Sequence, residues 1–529
     1  MEAIPLSAED RAILDLECNT VAGHTCKVIV LDGPAPRIDD LRAHVAARLD
    51  DAPPLRWRLG GEPGAPAWVP ADDFDIERRI AAADVDGPLD SAGLAREVAR
   101  LFEQRLDRDR PLWKIDVIPL EGEGAALVWR IHHALADGTA AMRFARAVLW
   151  DEVAAASRPR PHEHAADDAR RRAHLVRFIE REFGEALRRS PFDGRIGTRR
   201  EIAFASVALK AIHDAAKSLA GATVNDAVLT IVAGGVRRWL EEHHRRLGAI
   251  RVRVPVSLHH EGDDASNRDS FFSLAVPVGE PDPVVRLRAV HEATMARKAE
   301  DDAERLDSMF RELAHLSRRL ERLAQSVEAS PRRFALSVSN VPGPPGPVSV
   351  LGAPVESLHM VAEIGRRHAL RVSAVSFAGS LDFAFCADPA LVDDLSAMTR
   401  GLEDDAAALI AAPRDHVAVA YDEDLANRIR GLVGGERDVA EKRMFGGLAF
   451  LIAGNMSVAA SGQGGLLVRV DPADTDELLT RPHARPFEMR GRSMQGWLRI
   501  DAEGVRTRRQ LEPWVKRGVD YARSLPPKR

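Results

Sequence analysis

The sequence predicts a mixed α/β protein, with an α+β part at its C-terminal end, divided into about three units. Three observations carry that prediction. The chain has 529 residues, too many for one hydrophobic core. An apolar, β-prone run over residues 125–131 ends in two histidines and an Asp-Gly turn, and residues 139–150 then follow a helical period. Beyond residue 412 the pattern changes to short apolar runs broken by glycines.

Composition bounds the class. Hydrophobic residues make up 45% and charged residues 29%, the balance of a soluble globular protein. The three cysteines, Cys18, Cys26 and Cys386, form no Cys-x-x-Cys pair, so neither a zinc site nor a disulfide framework is expected, and a reducing cytoplasm fits. The N-terminus lacks a basic stretch followed by an apolar run, and no segment reads as a membrane span, so membrane contact is expected to be peripheral. Net charge is −6, unevenly placed: residues 421–529 carry +4 and the remainder −10. That weakly basic tail does not argue for nucleic acid as a partner.

Taken in order, residues 26–31 read as a strand and 41–49 as a short amphipathic helix. Residues 90–107 read as a helix ending before a strand at 111–118, which is expected to pair with the histidine strand. In that strand Trp113 is expected to pack and to support the site from behind. Residues 158–190, rich in Arg, His, Ala and Asp, read as a surface crossover between two halves. Gly221-Ala222-Thr223-Val224-Asn225-Asp226 opens a helix running to residue 240, with Thr223 or Asn225 as its cap. A strand at 251–258 and an apolar run ending at Val278 follow, with Ser266-Asn267-Arg268 between them. Residues 303–327 show one apolar helical face. A Pro-Gly turn at 342–347, strands near 348, 373–377 and 382–386, and a helix over 391–411 complete this part.

The chemistry concentrates in Trp129-Arg130-Ile131-His132-His133-Ala134-Leu135-Ala136-Asp137-Gly138. A histidine held where a strand becomes a helix suits a general base, because its unperturbed pKa of about 6.5 lets it take and return a proton near neutrality. Asp137 orients the histidine or the turn. On its own, the pattern equally fits two packed histidines with an aspartate closing an Asp-Gly turn.

Three further motifs accompany it: Pro111-Leu112-Trp113 upstream, and Asn225-Asp226 and Ser339-Asn340-Val341-Pro342-Gly343-Pro344 downstream. In this order and spacing, His-His-x-x-x-Asp-Gly with these partners resembles the bacterial wax ester synthase/diacylglycerol acyltransferase family of the CoA-dependent acyltransferase superfamily. The resemblance implies two chloramphenicol-acetyltransferase-like halves, residues 1–157 and 191–412, forming a tunnel. His133 is implied as the general base, His132 as its support, and Asp137 as mainly structural. Gly138, Pro111, Leu112, Trp113, Asn225, Asp226 and Asn340 are implied to support the site or bind substrate. Asn267 is expected to donate its amide to the oxyanion, although Ser266 stands where the family usually has glycine. Other departures are Arg78 and Arg79 near a position where the family often has histidine, and Phe377 in place of a tyrosine.

In residues 416–529, Arg443-Met444-Phe445-Gly446-Gly447-Leu448-Ala449-Phe450 and Arg485-Pro486-Phe487-Glu488-Met489-Arg490-Gly491-Arg492-Ser493-Met494-Gln495-Gly496-Trp497 resemble the TfoX N-terminal domain. A small α+β domain with a regulatory or interaction role is implied. It shows neither a nucleophile with a base nor metal-ligand spacing, and His483 is expected in an exposed loop.

The expected activity is transfer of a long-chain acyl group from acyl-CoA to a fatty alcohol or diacylglycerol, giving a wax ester or triacylglycerol. Acyl-CoA is then a co-substrate, and no metal or other cofactor is expected. The expected place is the cytoplasm, with peripheral contact at a membrane or lipid inclusion; oligomeric state stays open. The competing expectation is a non-catalytic lipid sensor with the TfoX-like domain as its output.

Overall fold

A computed structural model describes residues 3–62, 65–151, 190–243, 245–257, 269–299, 334–413, 422–436, 438–444, 447–461, 464–489 and 492–526. The chain divides into two compact units, Met1–Ala412 and Pro413–Arg529.

In the first unit the order is β1 (Ile4–Pro5), α1 (Ala8–Leu16), β2 (His24–Leu31), α2 (Ile38–Ala46), β3 (Trp57–Glu62), β4 (Ala65–Pro70), β5 (Ile80–Ala82), α3 (Ser91–Phe102), β6 (Trp113–Pro119), β7 (Ala125–His132) and α4 (Gly138–Val148). It continues with β8 (Glu201–Ala208), α5 (Leu209–Ala220), α6 (Val224–Glu242), β9 (Ala249–Ser257), β10 (Asp269–Pro277), α7 (Pro283–Ala299) and β11 (Leu336–Pro342). After these come β12 (Ser349–Val350), β13 (Ala353–Ala362), β14 (Leu370–Phe377), β15 (Ser380–Ala387) and α8 (Leu395–Ala411).

Two six-stranded sheets organise this unit, in the orders β12-β13-β2-β7-β6-β5 and β10-β9-β11-β14-β15-β8. The histidine strand β7 lies near the middle of the first, antiparallel to β2 and β6. All eight of its residues are buried, because both faces are covered: Leu127, Trp129 and Ile131 join one apolar cluster, while Ala126 and Val128 join the other. β13 comes from the later part of the chain yet pairs with β2, Val361 opposite Cys26 and His359 opposite Val28. The two parts therefore share a sheet.

Several helix boundaries differ from the sequence expectation, and three of them do so for a visible reason. Helix α2 begins at Ile38, three residues earlier than expected, placing Asp39 and Asp40 in its first turn, where acidic side chains are favourable. Helix α3 stops at Phe102, and Arg130 from β7 donates to the carbonyls of Leu101 (2.7 Å) and Gln104 (3.1 Å) just there. Helix α8 starts at Leu395, whose N–H donates to Glu201 Oε1 at 2.9 Å, so a carboxylate from β8 serves its free N-terminus. The expected features at 158–189, 266–268 and 303–327 lie outside the described residues.

The second unit comprises α9 (Glu423–Val433), β16 (Val439–Met444), β17 (Gly447–Ile452), β18 (Asn455–Ala460), β19 (Leu466–Arg469), α10 (Thr475–Leu479), β20 (Ala484–Met489), β21 (Arg492–Ile500) and α11 (Arg508–Ser524). Its antiparallel sheet runs β16-β17-β18-β19-β21-β20. Phe450, Val458, Leu466, Val468 and Leu498 of the sheet share a core with Leu425 and Ile429 of α9 and Leu511 and Val515 of α11. His483 is exposed in the loop before β20.

Candidate active site

The site starts where β7 ends. His132 N–H donates to the Leu112 carbonyl (2.9 Å) and His133 N–H to the Gly23 carbonyl (2.9 Å), so the backbone is held by the residues that lead into both neighbouring strands. Leu135 and Ala136 then donate to the His132 carbonyl, at 2.9 and 3.2 Å, and the chain turns. At the turn's end, Asp137 is the N-cap of α4: its carboxylate accepts the Ala140 N–H at 2.7 Å. Gly138 takes the first helical position close to the later part of the chain. A Cβ there would stand 3.0 Å from Val341 Cγ2 and 3.6 Å from Met360 Sδ.

Pro111, Leu112 and Trp113 form the wall behind the turn. Besides the Leu112 carbonyl at His132, Arg79 Nη1 reaches the carbonyls of Pro111 (2.8 Å) and Trp113 (3.1 Å). Arg79, at a position where the sequence departs from pattern, thus clamps this motif's backbone. Trp113 is buried, donates its indole N–H to the Leu55 carbonyl at 2.7 Å, and meets Trp129 edge to face, with ring centroids 6.4 Å apart.

His133 keeps partial exposure, while its Nδ1 is enclosed with no hydrogen-bond partner among the described residues. Burial, then the positive charge of Arg371, pull its pKa down from 6.5 to about 4; Asp137 opposes the shift and Lys27 adds to it. Lys27 itself, fully buried on β2, donates to Thr25 Oγ1 at 2.8 Å, and burial lowers its pKa to about 8 against the pull of Asp137. The imidazole is therefore neutral at neutral pH, with a free base available.

His132 faces the opposite way. Its Nδ1 accepts the Ala134 N–H at 3.1 Å, and its Nε2 stands 3.4 Å from Glu17 Oε2. Its cross-strand partner is His24, whose ring donates Nε2–H to the Phe102 carbonyl at 2.9 Å. Gly23 and Lys27 carry no motif signal in the sequence, and Glu17 is the last residue of a stretch, 6–17, that resembles the opening of the acyltransferase family without pointing to a place beside the histidines. A histidine-adjacent carboxylate and a buried lysine arriving on separate elements become visible only when β2 and β7 are laid side by side.

In the later part of the unit, Asn340 lies on β11 opposite Ala374, one residue before the Val341 that meets Gly138. Asn225 is half-buried in the first turn of α6. Asp226 is buried at the end of a capping box. It accepts Thr223 N–H and Oγ1–H (both 2.9 Å), Thr294 Oγ1–H (2.6 Å) and a contact from His291 Nδ1 (2.9 Å). Burial raises its pKa, but these donors more than offset it and the carboxyl sits below its usual range. Thr223 rather than Asn225 is the cap, and the Asp226 carboxylate is occupied by Thr223, Thr294 and His291 rather than by His133. Asn267 lies outside the described residues. No group of three or more His, Cys, Asp or Glu among the described residues is arranged to hold a metal ion.

Comparison with known proteins adds an independent line. The family model for the wax ester synthase/diacylglycerol acyltransferase catalytic domain matches residues 6–188, and that for the C-terminal domain of the same family matches residues 265–409. The TfoX N-terminal domain model matches residues 432–522. The chain is 28% identical over 418 residues to a Mycobacterium tuberculosis protein named "Probable diacylglycerol O-acyltransferase tgs1", covering 72% of this chain and 90% of that one. To tgs2 of the same organism, with a corresponding name, it is 29% identical over 367 residues, covering 61% and 79%. Among solved structures it is similar to the wax ester synthase/diacylglycerol acyltransferase from Marinobacter aquaeolei, with TM-score 0.57 and 22% identity over 77% of this chain and 98% of that one. It is also similar to the starter condensation domain of rhizomide synthetase, with TM-score 0.52 and 13% identity over 78% and 96%. At these identities the structural likeness speaks for the fold.

Proposed function

Because the chain belongs to the wax ester synthase/diacylglycerol acyltransferase family, with a TfoX N-terminal domain following it, we infer that it is an acyl-CoA-dependent O-acyltransferase. The acceptor in this reading is the hydroxyl of a long-chain alcohol or a diacylglycerol, and the product a wax ester or triacylglycerol. The hydroxyl proton passes to His133 as the oxygen attacks the thioester carbonyl. The tetrahedral intermediate then expels the CoA thiolate, which leaves protonated by His133. A thioester is already activated, so the protein's tasks are alignment and proton transfer.

One observation carries the reading: a histidine held neutral, backbone-locked between two strands and beside a capped helix, while its neighbour's ring is engaged elsewhere. Such a group takes a proton without first having to lose one. Asp137 is assigned a mainly structural part, since its carboxylate caps α4 by accepting the Ala140 N–H. Asn267 remains the proposed oxyanion donor, and no metal enters the scheme.

Among the described residues, no single helix is long and apolar enough to cross a membrane. The bent pair α5 and α6, at 97°, passes by length and composition only together, and much of α6 is buried in this unit's core. Lipid acceptors are proposed to arrive by peripheral contact with a membrane or inclusion surface on the cytoplasmic side.

The test is thiol release from palmitoyl-CoA, with hexadecanol or diacylglycerol as acceptor, in the intact chain and in His133→Ala. Acceptor-dependent release that falls by roughly 10²–10⁴-fold in the variant is the expected result. Equal, acceptor-independent release by both proteins would remove the reading and favour a lipid-sensing role.

A further inference from the structure

We infer that Glu17 is a positioning residue for this transfer: by engaging His132 it fixes the turn that presents His133. The inference rests on the acyltransferase reading of His133.

The argument begins with the tautomer of His132. Its Nδ1 accepts the Ala134 N–H at 3.1 Å, and a ring nitrogen that accepts carries no proton, so the neutral ring bears its hydrogen on Nε2. That nitrogen is buried and makes no close hydrogen bond among the described residues; Glu17 Oε2 stands 3.4 Å from it, within ion-pair range. The contact is long for a charge-assisted hydrogen bond, as such contacts often are before substrate binds.

Glu17 is built to stay charged. Its side chain is 6% exposed, at the C-terminal end of α1, and two arginines grip it: Arg108, which donates through Nε at 3.0 Å and through Nη2, and Arg105 at 3.5 Å. Burial pushes its pKa up, but His132 and Arg108 more than offset this and hold it at about 2. Space for the pair comes from Gly23. A Cβ on that residue would fall 2.6 Å from His132 Nε2 and 3.4 Å from Glu17 Cγ, and its φ of +74° suits glycine.

These contacts close a circuit around the turn. Glu17 sets the His132 ring; the ring receives Ala134 N–H, immediately after His133; and Gly23, which makes room for the ring, also accepts the His133 N–H. The His133 backbone is thus held on one side by β2 and on the other by a turn whose geometry depends on the Glu17 carboxylate. A purely structural surface bridge would need only the arginines. Here the oxygen that Arg108 grips also stands beside the histidine.

The experiment compares the intact chain with Glu17→Ala, Glu17→Gln and Glu17→Met in the same thiol-release assay, with His133→Ala as control. Glu17→Ala and Glu17→Met are expected to lower kcat by about 10–100-fold with KM for palmitoyl-CoA unchanged, the signature of a misplaced base. Glu17→Gln keeps an oxygen that accepts Nε2–H and is expected to recover most of that loss. In parallel, ¹⁵N-histidine spectra, with His132 assigned through His132→Gln, should show the Nε2–H tautomer in the native protein. A kcat in Glu17→Ala and Glu17→Met within about two-fold of native, or a loss confined to KM, would overturn the inference. So would an Nδ1–H tautomer at His132. If the native protein shows no acceptor-dependent release, the acyltransferase reading fails by that result, and the tautomer still decides the structural claim about Glu17.

Discussion

A neutral imidazole in a positively charged surrounding has a kinetic consequence at the scale of the residue. Burial and Arg371 hold the pKa of His133 at about 4, below the ordinary 6.5, so its base form persists well into acid. The acid limb of the kcat/KM profile for acyl-CoA, which reports the free protein, is therefore expected near pH 4. A limb near pH 6.5 would mean that His133 is solvated like a surface histidine. Asp137 has two duties that substitution separates. Asparagine retains an acceptor for the Ala140 N–H but loses the charge that offsets Lys27; alanine loses both. Thermal unfolding should rank native above Asp137→Asn above Asp137→Ala, with about 1 kcal/mol between the two variants as the value of the cap. Equal destabilisation by both would assign the whole effect to charge.

At the scale of the element, the contact between α6 and α8 depends on close backbone approach. A Cβ on Gly235 would stand 2.4 Å from the Met398 carbonyl oxygen, and one on Gly401 would stand 3.0 Å from the Gly234 carbonyl oxygen. These glycines are there for proximity, in helices where glycine otherwise costs about 1 kcal/mol. Gly235→Ala is expected to destabilise the first unit by about 1–3 kcal/mol through overpacking, without changing KM for acyl-CoA. Gly248, where an added Cβ meets nothing within 4 Å, supplies the control, and Gly248→Ala should stay within about 0.5 kcal/mol of native. Matching effects in urea unfolding would remove the packing account.

The whole molecule contains two separately cored units, and the second needs nothing from the first to explain its interior. Its sheet buries Phe450, Val458 and Val468 against α9 and α11, and Trp514 lies in the same cluster. Residues 422–529 produced alone are expected to fold cooperatively, followed by tryptophan fluorescence, and the full chain to show two calorimetric transitions. An unfolded isolated segment would show that this core requires the rest of the chain. The division also separates charge, +4 on residues 421–529 and −10 on the remainder. Salt should then affect the two transitions differently.

Local chemistry made the histidine strand and its helix legible before any coordinates. An apolar β-prone run, a histidine pair, Asp-Gly and a helical period can be read in one short window, because strand, turn and cap are each set by near neighbours. The same holds for a cap at the start of α6, read as Thr223 or Asn225 and found at Thr223, and for the packing of Trp113. By itself the sequence thus determined the mixed α/β class, the order of most elements and, through motif resemblance, the family. Only the tertiary structure decided that β13 crosses to lie beside β2, that Glu17 reaches His132 and that Lys27 is buried near Asp137. Those facts depend on register between strands distant in sequence. A one-residue slip of β2 against β7 would turn Lys27 to the other face and part His24 from His132, and no local pattern encodes that alignment.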